Sequence, residues 1–192
     1  MEDKLFLNLK RNNLLLNLKR VNFIFKHEEL MTECIKNFKP VSFFGEPFGP
    51  FEKGHKYRLK FFKALPFIQN KILKLTSDEK CDNVDVQRYA ISERDDQKLI
   101  HQQKPYFLNR IKEFKSIMEY EVQNNIKPKM DLDRYISYAS NIIDSRLLKL
   151  LRLSKADLSL DDEQRLTSLE KILYRELYKI IKAWRDFLLL NS

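Results

Sequence analysis

Phe43-Phe-Gly45-Glu-Pro47-Phe-Gly49-Pro50-Phe51-Glu-Lys-Gly54 contains all three glycines of the 192-residue chain and two of its six prolines, with Pro40 just upstream. Glycine reaches positive φ without a Cβ clash, whereas proline fixes φ and removes a backbone donor. A chain that otherwise avoids both residues has concentrated its backbone punctuation in one aromatic-lined turn. Upstream of it the sequence reads as short strands, and downstream as long helical periodicity. The expected class is α+β, mostly α: a small N-terminal β-rich domain, residues 1–56, followed by a larger helical-bundle domain, residues 57–192. Gly45, Gly49, Pro50, Phe51 and Gly54 form the expected domain-junction turn.

Upstream, Leu5-Phe-Leu-Asn8-Leu-Lys10-Arg11 recurs nine residues later as Leu14-Leu-Leu-Asn17-Leu-Lys19-Arg20. Asn12-Asn13 between the copies can supply a turn, which makes a hairpin the expectation. Val21 to Phe25 reads as a strand by its β-branched and aromatic residues. His27 to Phe38 reads as a short helix, with Leu30, Met31, Cys34, Ile35 and Phe38 on an i, i+4 stripe. Val41 to Phe44 returns to strand character.

Downstream, Tyr57 to Leu75 is helix-like, broken near Pro66, with Leu73-Lys-Leu75 as a short strand at its end. Helices are expected over about Val84–Gln102, from Pro105 to about Gln123, and from Asp131 to about Leu153. A last helix from Ser159 or Asp161 to Leu190 carries Leu166, Leu169, Leu173, Leu177, Ile180 and Trp184 at 3.6-residue spacing. Tyr174, Tyr178, Phe187 and Leu189 flank that stripe. So wide an apolar arc suits a subunit interface, and it equally suits a central helix buried within the monomer.

Composition narrows the class. Hydrophobic residues make up 43% and charged residues 33%, enough for a real core in a soluble chain. No apolar run approaches a membrane span, and the charged Met-Glu-Asp-Lys start leads into no cleavage site, so an intracellular location is expected. Cys34 and Cys81 are too few for a disulfide framework or thiolate metal site. The net charge of +9 is spread along the chain, permitting contact with nucleic acid or acidic partners without demanding either.

Catalytic motifs fail one by one. Gly49-Pro-Phe-Glu-Lys-Gly54 has Walker A glycine spacing, but His55-Lys56 stands where Lys-Ser/Thr is needed. His27-Glu28-Glu29-Leu30-Met31 starts like a zincin helix and ends on methionine. His55 and His101 are isolated. Glu93-Arg94-Asp95-Asp96 points in successive directions around a helix, as a solvated face does. Asp161-Asp162-Glu163 suits a helix start. The expectation is no catalytic residue, no cofactor and no metal. Lys10, Arg11, Lys19 and Arg20 on the expected hairpin are candidate nucleic-acid contacts; Arg146, Lys149 and Arg152 share one side of a helix. A solvated surface explains either set more simply.

The segment from Phe43 to Leu59 resembles the signature of a GINS subunit, the archaeal "two/three" type, similar to the second partner of Sld-five in eukaryotes. There too a strand runs into a Gly-Pro-Phe turn, a second glycine and a helix holding an alanine and leucines, here Phe61, Phe62, Ala64 and Leu65. The proline-tryptophan that opens that helix in the family is missing. Val84-Asp85-Val86 with Glu93-Arg94, then Pro105-Tyr106-Phe107, then Asp144-Ser-Arg146-Leu-Leu-Lys149-Leu150 follow in the family's order, and Leu166 to Leu190 resembles the terminal helix of archaeal members. The resemblance covers roughly residues 20–190.

It implies a non-enzymatic scaffold in a heterotetramer with a second GINS subunit type. That assembly binds the MCM helicase and a RecJ-like protein at replication forks, and extends to primase in some archaea. It places Leu173, Tyr178, Ile180 and Trp184 at subunit contacts, and Arg146 and Lys149 in the helical core or its interface. The turn at Gly45–Gly54 would set the angle between the domains. Two other readings compete: a basic nucleic-acid-binding protein without a GINS role, and, further off, an enzyme built from dispersed residues.

Overall fold

The computed structural model describes residues 2–43 and 45–189, and the chain is α+β, mostly α. Helix α1, Glu2–Lys26, opens it. Strands β1, Glu29–Cys34, β2, Val41–Phe43, β3, Glu46–Phe48, and β4, Lys56–Lys60, follow. Helix α2, Phe61–Gln69, leads to β5, Leu73–Leu75. The helical remainder comprises α3, Asn83–Asp95, α4, Phe107–Gln123, α5, Lys129–Leu153, α6, Leu160–Arg165, and α7, Ser168–Leu189.

The expected N-terminal hairpin is not formed: the tandem repeat and the expected strand at Val21 to Phe25 are one helix. The nine-residue repeat is two and a half turns at about 3.6 residues per turn, so the two copies stand half a turn out of phase. Apolar residues therefore ring α1 instead of forming the stripe by which a helix is recognised. The C-terminal end of α1 is fastened by a few contacts. Phe25 is buried against Phe61 and Tyr106. Asn22 Nδ2 donates to Glu113 Oε1 at 2.8 Å, Asn109 Nδ2 donates to Asn22 Oδ1 at 3.0 Å, and Lys26 pairs with Glu113 at 3.4 Å.

The segment read as a helix from His27 is instead the central strand β1. Its buried residues are Leu30, Thr32 and Cys34, a period of two, and the flanking Met31 and Ile35 had made that run equally compatible with a helical stripe. It pairs antiparallel with β4, Glu29 opposite Lys60, and on its other edge with β5, Thr32 opposite Leu75. Thr32 is fully buried and its hydroxyl donates to the Tyr57 carbonyl at 2.8 Å. The helix expected from Tyr57 likewise starts only at Phe61, because residues 56–60 are claimed by β1. Strand pairing thus runs on both sides of residue 56, and the strand-bearing part extends to Leu75.

The glycine turn closes this part's own core. Gly45, Gly49 and Gly54 have φ of 83°, 101° and 86°, a region that L side chains rarely adopt. The β2–β3 hairpin folds over so that Phe51 is buried against Phe48, Tyr57 and Phe67. Phe38 and Phe51 exchange backbone hydrogen bonds at 2.8 and 2.9 Å. The apolar cluster around Phe51 comprises Cys34, Phe67, Ile72 and Leu73, all within the strand-bearing part. The turn therefore packs inside that part rather than against α3–α7. A second cluster, Phe25, Leu30, Phe61 and Ile117, joins α1, the sheet and α2 to α4. The helical core is built on Val86, Ile111, Tyr135 and Ile142.

Two measurements check this account. A Cβ at Gly49 would lie 3.3 Å from the Pro40 Cα, while one at Gly54 meets nothing within 4 Å. Gly49→Ala should therefore cost about 1–3 kcal/mol and more than Gly54→Ala, read as the midpoints of denaturant unfolding. Glu113 and Glu79 supply the second. Burial alone would raise both carboxyls, but Asn22, Lys112 and Lys26 around Glu113, and Lys104 and Arg110 around Glu79, outweigh it and hold both below their ordinary value. A depressed folded-state value stabilises above the unfolded value of 4.5 and is lost as pH falls through the folded one. The stability gap between wild type and Glu113→Gln should be widest near neutral pH and should shrink in acid unfolding series below about pH 4.

Candidate subunit interface

The last helix expected from the sequence is two helices. Leu166 is extended, with ψ of 131°, and closes α6. Thr167 then starts α7: its N–H and its hydroxyl both donate to Glu170 Oε2 at 2.8 Å. Thr167-Ser-Leu-Glu170 is the Thr-x-x-Glu pattern of a capping box, a signal in the sequence that marks a helix start and was passed over.

Glu170 also anchors α7 to α5. Arg146 Nε and Nη2 donate to Glu170 Oε1 and Oε2 at 2.6 and 2.8 Å, a bidentate pair. Arg146 Nη1 donates to Glu93 Oε2 at 2.8 Å and to the Ile100 carbonyl at 3.1 Å, and Nη2 to the Arg165 carbonyl at 3.0 Å. All five guanidinium N–H groups are thereby used, on a side chain 1% exposed. Lys149 Nζ spends its three donors on Glu93 Oε1 at 2.6 Å, the Glu93 carbonyl at 2.5 Å and the Lys98 carbonyl at 2.9 Å. Burial works against the Arg146 cation, but Glu170 and Glu93 outweigh it and raise its pKa further.

This cluster explains where α3 stops. The helix expected to Gln102 ends at Asp95. The carbonyls of Lys98, Leu99 and Ile100 are satisfied by Lys149, Arg165 and Arg146 instead of by a helical ladder. Arg146 and Lys149 are therefore core residues of the helical part, binding α3, α5 and α7 together.

Beyond this lock, α7 changes character. Leu173, Tyr174, Leu177 and Tyr178 pack with Leu150, Leu153 and Leu166 inside the chain, and Tyr178 stacks on Tyr174 at 5.8 Å. From Ile180 onward the stripe continues at the surface, tethered by Arg185 Nη1 donating to the Lys155 carbonyl at 2.9 Å, with Ile181 half-buried. Ile180, Trp184, Phe187, Leu188 and Leu189 are all exposed, Trp184 to 65% and Phe187 to 84%. A hollow of about 360 Å³ sits beneath Trp184, lined by Lys155, Ile181, Leu188 and Leu189. The four residues expected at subunit contacts thus divide. Leu173 and Tyr178 serve the chain's own cluster, and Ile180 and Trp184 lie on the bare surface. Sequence reading missed a second bare row, Ile143, Leu147, Leu148 and Leu151 on α5. Its residues are the outward neighbours of the buried face, invisible when α5 is read as having one face.

The basic set expected on a hairpin stands on α1. Lys19 and Arg20 are exposed, and the side chains of Lys10 and Arg11 lie outside the described residues. The cysteines are buried: Cys34 Sγ donates to the Lys36 carbonyl, and burial pushes the Cys81 thiol up to about 12, away from thiolate chemistry. Among the described residues no three His, Cys, Asp or Glu side chains cluster so as to hold a metal ion. None of the helices among them is long and apolar enough to cross a membrane.

Compared with models of known protein families and with curated proteins, the chain matches none.

Arg146→Ala should destabilise by about 3–5 kcal/mol, because it strands two carboxylates in the core. Arg146→Lys should recover only part of that loss, since an ammonium cannot reproduce the fork to Glu170 and Glu93. Urea unfolding of the three proteins checks both.

Proposed function

We propose that the chain is a non-enzymatic scaffold subunit of GINS type. It assembles with a second GINS subunit through the far half of α7 and holds the MCM helicase in its active state at replication forks. The observation that carries this reading is the contrast along α7. One half is locked into the core by Glu170, and the other half presents Ile180, Trp184, Phe187 and Leu188 to solvent. Each such side chain contributes about 1.5–3 kcal/mol when fully removed from water. Trp is among the residue types from which interface hot spots are built.

The chain order also supports the reading. After α1, a strand-bearing part precedes α3–α7, the order that the resemblance implies beyond about residue 20, and the Asp144–Leu150 element that carries the resemblance supplies both cations of the core lock. Scaffolding of this kind works by binding one helicase state better than another. A RecJ-like protein and primase are further partners that the same reading brings, and the chain stays in the cytoplasm or nucleoid where the fork is. A weak DNA contact through α1, where Lys19 and Arg20 are exposed, is a further part of the reading.

The test is solution mass by light scattering, for the chain alone and after co-expression with the other GINS-type protein of its genome. The expected result is a stable complex of about four chains, with the lone chain prone to self-association. Trp184→Glu should abolish the complex while leaving the unfolding midpoint of the lone chain within about 0.5 kcal/mol of wild type. A lone monomer that ignores that partner would overturn the reading.

A further inference from the structure

Helix α1 carries a row of side chains that its own packing leaves unused. Phe25 is buried against Phe61 and Tyr106. Phe23, two residues earlier and so about 200° around the helix, is 64% exposed. Leu16, Lys19, Arg20 and Phe23 recur at spacings of three and four, which puts them on one face, and all of them are exposed. Just past the helix, the centre of the His27 ring lies 4.4 Å from that of Phe23 and 4.8 Å from that of Phe62 on α2. Its Nδ1–H donates to the Phe23 carbonyl at 2.9 Å, which holds the middle ring of the three in place.

The charge around these rings is positive. Lys19 and Arg20 stand one turn from Phe23, and neither has a carboxylate partner among the described residues. Lys26 and Lys112 share a single carboxylate, Glu113. The nearby acids face elsewhere. Glu29 lies opposite Lys60 across the β1–β4 pair. Glu28 stands close enough to Tyr106, on the buried side of α1, that its charge adds to burial in raising that phenol. A helix that lies in a lipid surface keeps its cations at the edges of a broad apolar face. Here Lys19 and Arg20 sit between Leu16 and Phe23, in the middle of the row, so immersing it would carry both charges into hydrocarbon. A nucleic-acid strand matches what the row offers, since each nucleotide brings a π face and a phosphate.

We propose that this face of α1 is a stacking platform for single-stranded nucleic acid. A base lies on the exposed Phe23 ring, which His27 and Phe62 back, and Lys19 and Arg20 hold the adjoining phosphates. Bases in a duplex turn their faces to one another, so the rings select a single strand. The platform deepens the weak DNA contact of the proposed function and rests on that part of the reading alone; it uses none of the α7 residues.

The test uses the full chain and a fluorescent twelve-nucleotide oligothymidylate, read by anisotropy across a salt series. The oligonucleotide should bind in low salt, and a duplex of the same length should bind about tenfold more weakly. Phe23→Leu keeps an apolar side chain and removes the π face. It should weaken binding about fivefold or more and leave the unfolding midpoint where it was. Lys19→Gln combined with Arg20→Gln should reduce the slope of log K against log salt by about 1.4. Trp184→Glu should leave oligonucleotide binding unchanged, and Phe23→Leu should leave assembly by light scattering unchanged, so the platform and the α7 interface fail separately. No binding of the oligonucleotide in low salt, wild-type affinity in Phe23→Leu, equal binding of the duplex, an unchanged salt slope, or attachment to phosphatidylserine vesicles in place of the oligonucleotide would each overturn the proposal.

Discussion

The helical part depends on one buried cation. Arg146 reaches Glu93 on α3, Glu170 on α7, the Ile100 carbonyl beyond α3 and the Arg165 carbonyl at the end of α6, using every donor it has. Removing such a charge from water is expensive, and an apolar side chain of the same volume can stabilise a core as well. What an apolar residue cannot do is satisfy the carbonyls of an irregular segment. With Lys149 and Arg165, Arg146 lets residues 98–100 run outside any helix with Leu99 buried and their backbone oxygens occupied. The position of α6, the restart of α7 at Thr167 and the burial of Leu99 all follow from that arrangement.

The strand-bearing part is organised differently, by backbone geometry and aromatic packing. Three glycines at positive φ let the β2–β3 hairpin fold Phe51 onto Phe67 and Tyr57. A second apolar cluster, with Phe25 of α1, Leu30, Phe61 and Ile117 of α4, then joins this part to the helical part.

How much of this could be read from the sequence depended on periodicity. Helices α4 and α5 were legible because one face of each is strongly apolar. The glycine turn was legible because so few residues tolerate its φ values. The errors fell where two periods coincide. Leu30, Met31, Cys34 and Ile35 satisfy a helical spacing, yet their partners Leu59 and Leu73 claim Leu30 and Cys34 for a sheet. The N-terminal repeat concealed α1, since a period of nine residues spreads leucines around a helix. The candidate site was half legible. Trp184 and Ile180 stood out by type and spacing, but no local pattern distinguishes them from Leu173 and Tyr178. Only the place where α7 outruns the core does so, and that is a property of the whole fold.

The same helix therefore belongs to two environments, fixed to α5 at Glu170 and bare beyond Ile180. Amide hydrogen exchange resolved along α7, for the lone chain and for its complex with the partner subunit proposed for it, tests this most directly. The account predicts slow exchange near Tyr174 in both samples, and fast exchange from Trp184 to Leu189 that becomes slow only in the complex. Full protection of residues 184–189 in a monomeric lone chain, or no gain of protection with the partner bound, would contradict it.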